Sequence, residues 1–282
     1  MSALQIHRLA VPGATLHCET QGSGPPLLLI PGGPQDAGVF ADIVAPLAAH
    51  YTVIAFDPRG NSRSPADAMG LDLDLDRQAD DVAALIAAVN LGPAHVFGTS
   101  GGAQIGLNLA ARHPRQVRVL VAHEPPTTML LDDPSEALAG DRAIYETYRR
   151  EGVEAAMGQF FAMNALDAES DEGGPDFDDL PPEAAETFAR VSGNFEYWLA
   201  HGMMPLSTYL PDVDTLRQGP VPVVVAIGEG SEGLPIAAMG AALARQLGTA
   251  PVRFPGDHTG FDQPNSEAFA AALHAALNAP GR

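Results

Sequence analysis

Short, continuously apolar runs alternate along the chain with longer stretches of helical periodicity. Leu27-Leu28-Leu29-Ile30 is uninterrupted and stops at Pro31-Gly32-Gly33-Pro34, which predicts a strand buried on both faces and ended by a turn. Tyr51–Phe56, Ala94–Phe97, Val117–Ala122, Val221–Ile227 and Pro251–Phe254 repeat that pattern. Over 77–90, Val82, Leu85, Ile86 and Val89 recur at helical spacing and predict an amphipathic helix. Further helices are predicted from Gly102 to about Arg112, over 235–247 and over 266–278. Buried strands separated by helices predict right-handed βαβ units and a mainly parallel sheet, an α/β fold.

Residues 127–216 break this rhythm. They carry helical patterns, no convincing sheet strand, and an acidic run rich in Gly and Pro from Asp167 to Asp179. The expected organisation is an α/β core over 1–126 and 217–282, with 127–216 inserted as a helical cap. The acidic run is read as a solvated loop surface.

Composition narrows the classes of function. The chain has 282 residues, 46% of them hydrophobic and 18% charged, as in a folded soluble protein. Its formal net charge of −20 argues against nucleic acid and against anionic membrane as partners, since both need basic patches. The single cysteine, Cys18, excludes an intrachain disulfide and a Cys₄ zinc site. Residues 1–7 lack the basic and apolar parts of a secretory signal, and no apolar run approaches the roughly 18 residues of a membrane span. These features predict a cytoplasmic protein acting on a small molecule, with its oligomeric state left open.

Gly98-Thr99-Ser100-Gly101-Gly102 matches G-x-S-x-G and falls between a predicted strand and a predicted helix. A serine on such a tight turn is exposed at the sheet's end, facing the free N–H groups of the helix start. Its hydroxyl needs a general base, and the chain order Ser, acid, His places His258, on the loop after Pro251–Phe254, in that role. An oxyanion needs two N–H donors. Gly101 supplies one and Gly33, on the loop after Leu27–Ile30, the other. Of the remaining histidines, His95 reads as a strand residue, His17, His50 and His113 as structural, and His123 and His201 as candidate pocket residues.

With these motifs in order, the chain resembles the α/β-hydrolase superfamily. Pro31-Gly32-Gly33-Pro34 stands in place of the family's His-Gly-x-Pro loop, Phe56-Asp57-Pro58-Arg59-Gly60-Asn61-Ser62 is similar to its Asp-x-Arg-Gly-x-Gly segment, and the Ser100 elbow and Gly256-Asp257-His258 follow. The resemblance implies an eight-stranded, mostly parallel sheet, a helical lid after the sixth strand, and a hydrolase using neither cofactor nor metal. It also locates a departure: the position where the family often carries its acid is Ser231. Glu124, which ends the preceding strand where some members carry the acid, is the preferred replacement. Glu232 and then Glu229 are the alternatives.

The resulting expectation is a serine hydrolase cleaving an ester or lactone of a small hydrophobic substrate through an acyl-enzyme. Trp198, Met203 and Phe161 are candidate pocket residues among the large apolar side chains of the cap. Dehalogenase and epoxide hydrolase chemistry is disfavoured, because the resemblance implies Asp at the elbow for those. A C–C bond hydrolase, or a non-hydrolytic biosynthetic or ligand-binding member of the fold, is the alternative.

Overall fold

A computed structural model describes residues 3–68, 70–164 and 181–279. The acidic run 167–179 lies outside the described residues. Eight strands form one sheet: β1 (Gln5–Val11), β2 (Ala14–Gly22), β3 (Pro26–Ile30), β4 (Thr52–Phe56), β5 (Ala94–Thr99), β6 (Val117–His123), β7 (Val223–Gly228) and β8 (Val252–Phe254). Their order across the sheet is β1-β2-β4-β3-β5-β6-β7-β8. From β4 to β8 all pairings are parallel, while β1 and β2 form an antiparallel hairpin joined antiparallel to β4.

The apolar runs are uninterrupted because this sheet is covered on both faces. Leu28 and Ile30 of β3 enter one core, with Ile54, Val96 and Leu120. Leu27 and Leu29 enter the other, with Val53, Phe97 and Val121. The first core is closed by α2 (Leu75–Val89), α3 (Gly101–Arg112) and α10 (Pro235–Leu247). The second is closed by α1 (Ala41–Ala48) and α11 (Ser266–Leu277). The start of α2 is set by Asp74, whose carboxylate accepts from the amides of Asp76 and Arg77.

The hairpin was only partly legible. The alternating stretch around Cys18 reads as a strand and becomes β2, but β1 lies at the edge with most of its residues exposed. An edge strand open to solvent has no apolar run to announce it.

Between β6 and β7 the chain runs through α4 (Ser135–Glu151), α5 (Val153–Met163), α6 (Pro182–Gly193), α7 (Phe195–Tyr197), a π-turn (Trp198–Gly202), α8 (Met203–Ser207) and α9 (Val213–Gln218), with no strand among the described residues. Ile144, Met157, Trp198, Leu199, Met203 and Leu206 from this segment are continuous with the first core. The chain passes from β4 on one side of β3 to β5 on the other, so the crevice at the carboxyl ends of β3 and β5 is the switch point where ligands of such sheets bind.

Candidate active site

Ser100 stands between β5 and α3 with φ 53° and ψ −127°, a conformation that costs a residue with a side chain about 1–3 kcal/mol. Neighbouring backbone imposes it. The Ser100 amide donates to the His123 carbonyl at 2.9 Å, and a Cβ at Gly102 would run into the carbonyls of Ile30 and Pro31. A Cβ at Gly32 would come within 2.7 Å of the Ser100 Cβ. The loop after β3 and the turn before α3 therefore press together backbone to backbone, and glycine is what fits. The same approach brings the two candidate oxyanion donors side by side: a Cβ on Gly101 would lie 3.2 Å from the Gly33 nitrogen. The Gly101 N–H belongs to the first turn of α3, where no intrahelical acceptor exists.

Glu124 follows β6 and is fully buried, with φ 44°. Each carboxylate oxygen has a partner: Oε1 accepts from the Gly228 amide at 2.8 Å, and Oε2 meets His258 Nδ1 at 2.7 Å. Burial pushes the Glu124 pKa up, but the hydrogen bond from His258 and the charges of His123 and His258 outweigh it and bring it down to about 2. Ionised, the carboxylate only accepts, so His258 Nδ1 carries the proton and Nε2 is the basic nitrogen of the neutral ring. No hydrogen bond joins Ser100 to His258 among the described residues.

His123 lies beneath this pair rather than lining a pocket. Its ring stacks on that of His258, with centroids 6.3 Å apart and planes at 25°. It is fully buried beside Phe97, Phe254 and Phe269, and its Nδ1 is 3.0 Å from Thr99 Oγ1. Burial pushes its pKa down to about 4, so it is uncharged at neutral pH. Ser231 is buried, and Glu229 and Glu232 are exposed on the turn after β7. His201 pairs with Asp72 at 3.1 Å.

A small cavity of about 10 Å³, room for about one water, lies against Gly33 and Gly101, and neither Ser100 nor His258 is among its lining residues. Gly33, Gly101, Arg59, Gln78, Trp198 and Leu206 are among its lining residues. The Trp198 indole sits over Gly33: a Cβ there would be 3.3 Å from Trp198 Nε1. Leu206 sits over Gly101 in the same way, at 3.0 Å. Of the three cap residues predicted from the sequence, Trp198 lines the cavity. Met203 is buried outside it, and Phe161 packs on Phe160 and Phe195.

The Trp198 segment is held down by its own neighbours. Asn194 Nδ2 donates to the Pro34 carbonyl at 2.7 Å and to Ser62 Oγ at 2.9 Å, while its Oδ1 accepts from the Ser62 amide at 2.8 Å. Arg190 pairs with the buried Asp36 at 2.7 Å. These contacts tie the helical segment to the loops after β3 and β4.

Gln78 and Arg59 escaped sequence reasoning as cavity residues. A signal for Gln78 existed: it shares the buried stripe of α2 with Leu75, Ala79 and Val82, and a polar side chain on such a stripe needs an explanation. Among the described residues no group of three or more His, Cys, Asp or Glu side chains is arranged to hold a metal ion. No helix there is long and apolar enough to cross a membrane.

Comparison with known proteins adds to this geometry. An uncharacterised hydrolase of Bacillus subtilis, YraK, is 34% identical over 272 residues, covering 94% of this chain and 93% of that protein. A pimeloyl-[acyl-carrier protein] methyl ester esterase of Chromobacterium violaceum is 29% identical, with 71% and 72% covered. The solved enol-lactonase of Burkholderia xenovorans superposes with a TM-score of 0.73 at 20% identity, covering 96% of this chain and 99% of its own. The family model described as the alpha/beta hydrolase fold matches residues 25–256. With that match spanning most of the chain and the sheet order agreeing with it, the chain belongs to the alpha/beta hydrolase family.

Proposed function

We propose that this chain is a serine hydrolase that cleaves an ester or lactone of a small, mainly apolar substrate, with residues 127–216 acting as the lid. Ser100 Oγ attacks the acyl carbon and its proton passes to His258 Nε2. The carbonyl oxygen, now anionic, is received by the Gly33 and Gly101 amides. Collapse of the tetrahedral adduct breaks the bond to the alkoxide, which takes the proton from His258; in a lactone the released alcohol stays tethered to the acyl group. Water then attacks the acyl-enzyme, giving its proton to His258, and Ser100 leaves with that proton restored. Glu124 holds the His258 ring and stabilises it while it is an imidazolium.

The observation that carries this reading is the 2.7 Å bond between Glu124 and His258, beside a serine held on a strained turn. The ester and lactone class is supported by the methyl ester esterase and enol-lactonase among the similar proteins. The test is fluorophosphonate labelling together with turnover of p-nitrophenyl acyl esters and simple lactones. Wild type should label and turn over, and Ser100→Ala should lose both, with kcat/KM down by about 10⁵-fold or more. A wild-type chain inert to the label and to every substrate overturns the proposal.

A further inference from the structure

Two side chains in the cavity wall are polar, neutral, more than nine-tenths buried and without partners. Trp198 is 6% exposed and Gln78 is 4% exposed. Trp198 Nε1 and Gln78 Oε1 are both buried atoms with no hydrogen-bond partner. The Gln78 backbone N–H donates to the Asp74 carbonyl, but its side-chain amide makes no hydrogen bond among the described residues, so it offers a donor and an acceptor whichever way it is turned. Both residues line the cavity that also holds Gly33 and Gly101. Leaving such groups unpaired in a folded core is costly, and native proteins rarely keep them without a use.

The charged group in the same wall is different. Arg59 donates to both oxygens of Asp81, at 2.8 and 2.6 Å, and to the Pro12 carbonyl at 3.0 Å. Its charge is matched by Asp81, and its Nε and Nη2 donors are engaged, with only Nη1 left without a hydrogen bond among the described residues. A carboxylate or ammonium on the substrate would find no uncompensated opposite charge there, and entering would strip its water without repayment. The rest of the wall is largely apolar: Pro31, Pro58, Leu73, Ile105 and Leu206.

From this contrast we infer that the substrate is an uncharged ester or lactone whose second neutral oxygen function, a hydroxyl or ketone, enters this small cavity and hydrogen-bonds Trp198 Nε1–H and the Gln78 side-chain amide. The inference rests on the hydrolase reading and names its substrate class. Trp198 is placed for the task by the turn that lays its indole over Gly33, next to where the reacting carbonyl would sit. Gln78 reaches the same cavity from α2. A substrate touching both would bridge the helical segment and the core. A site built to bond such an oxygen discriminates against the analogue that lacks it, because the two side chains are then left buried and unpaired.

The experiment compares three chromogenic substrates of similar size: p-nitrophenyl butyrate, p-nitrophenyl 3-hydroxybutyrate and p-nitrophenyl hemisuccinate. Wild type should favour the hydroxy ester over the plain one by about tenfold or more in kcat/KM, and the anionic ester should be the poorest. In Trp198→Phe and in Gln78→Met the ratio of hydroxy to plain ester should fall by about fivefold to tenfold each. The ratio reads specificity and is insensitive to a general loss of active protein. Gln78→Met keeps length and apolar shape, so it decides the matter if Trp198→Phe folds poorly. Equal handling of plain and hydroxy esters by wild type, ratios unchanged in Gln78→Met, or preference for the hemisuccinate would each overturn the inference while leaving a working hydrolase. Inactivity toward all three esters together with no fluorophosphonate labelling removes the hydrolase reading, and the inference with it.

Discussion

Two sets of buried polar side chains meet at this site in opposite states. On the β6–β8 side, Glu124 has a partner on each oxygen, and His258 is held through one ring nitrogen. On the cavity side, Trp198 and Gln78 are as deeply buried and have none. The Glu124 carboxylate is complete within the fold, and its hydrogen bonds are spent on fixing one ring in one orientation, although His123 Nε2 and Ser231 Oγ beside it are buried without hydrogen-bond partners among the described residues. The cavity-side set keeps its hydrogen-bonding capacity in reserve. On the proposed reading, a single crevice combines rigidity with selectivity: saturated groups define where chemistry happens, and unsaturated ones define what is admitted.

The largest expected effect attacks the saturated set. Glu124→Gln keeps the shape but replaces the carboxylate that fixes the His258 tautomer, so kcat/KM for a p-nitrophenyl ester should fall by about 10³–10⁴-fold, with far-ultraviolet circular dichroism unchanged. A loss under tenfold would mean that the pair is structural and that another group supports the base.

The pH dependence of stability probes the residue beneath that set. His123 sits near pKa 4 in the folded chain against about 6.5 when unfolded. Between those values the unfolded chain takes up a proton that the folded chain refuses. The contribution of His123 to stability is therefore whole above about pH 6.5 and is lost on acidification, by about 3 kcal/mol once the pH passes below 4. Glu124, with its pKa brought down to about 2, adds a separate loss only below about pH 4.5. Denaturant melts of His123→Gln between pH 7 and 4 should lose less stability on acidification than wild type, and a profile identical to wild type would remove His123 from the account.

Asn194→Ala tests the clamp that holds the Trp198 segment to the loops after β3 and β4. It deletes three hydrogen bonds to Pro34 and Ser62 and should cost about 2–3 kcal/mol, with KM raised more than kcat is lowered because Trp198 is less well placed. A thermal midpoint within a degree of wild type would show the clamp to be idle.

The smallest effect has the most telling sign. Gln78→Met removes an unpaired buried amide, so the chain should gain about 1 kcal/mol, or roughly 2–4 °C in thermal midpoint. Glu124→Gln should lose stability. If both variants lose stability alike, the two sets do not differ in the way described here.

Much of the fold was legible because it is written locally. The six core strands are continuous apolar runs bounded by Gly and Pro, and their observed bounds differ from the expected ones by one or two residues: Val221–Ile227 became Val223–Gly228, for example. Residues 77–90 became Leu75–Val89, because Asp74 caps the helix two residues earlier than the apolar spacing suggests. The elbow was equally plain, since the close approach of Gly102 to Ile30 and Pro31 forces glycine into the sequence itself. The edge strand β1 carried no such imprint, because its side chains face water.

What the sequence determined by itself is therefore the set of features whose causes lie within a few residues: the apolar runs, the strained serine turn, and the glycines where backbones touch. It brought His258 and three glutamates forward, with Glu124 preferred, but the contact between a carboxylate and the ring is not written in any local stretch. That contact belongs to the tertiary structure, because Glu124 and His258 are 134 residues apart and meet only when β6, β7 and β8 align in parallel. Trp198 and Gln78 line one cavity for the same reason, one from the helical segment after β6 and the other from α2. Hydrogen bonding acts over about 3 Å, so a partner, or the lack of one, exists only once the chain has folded.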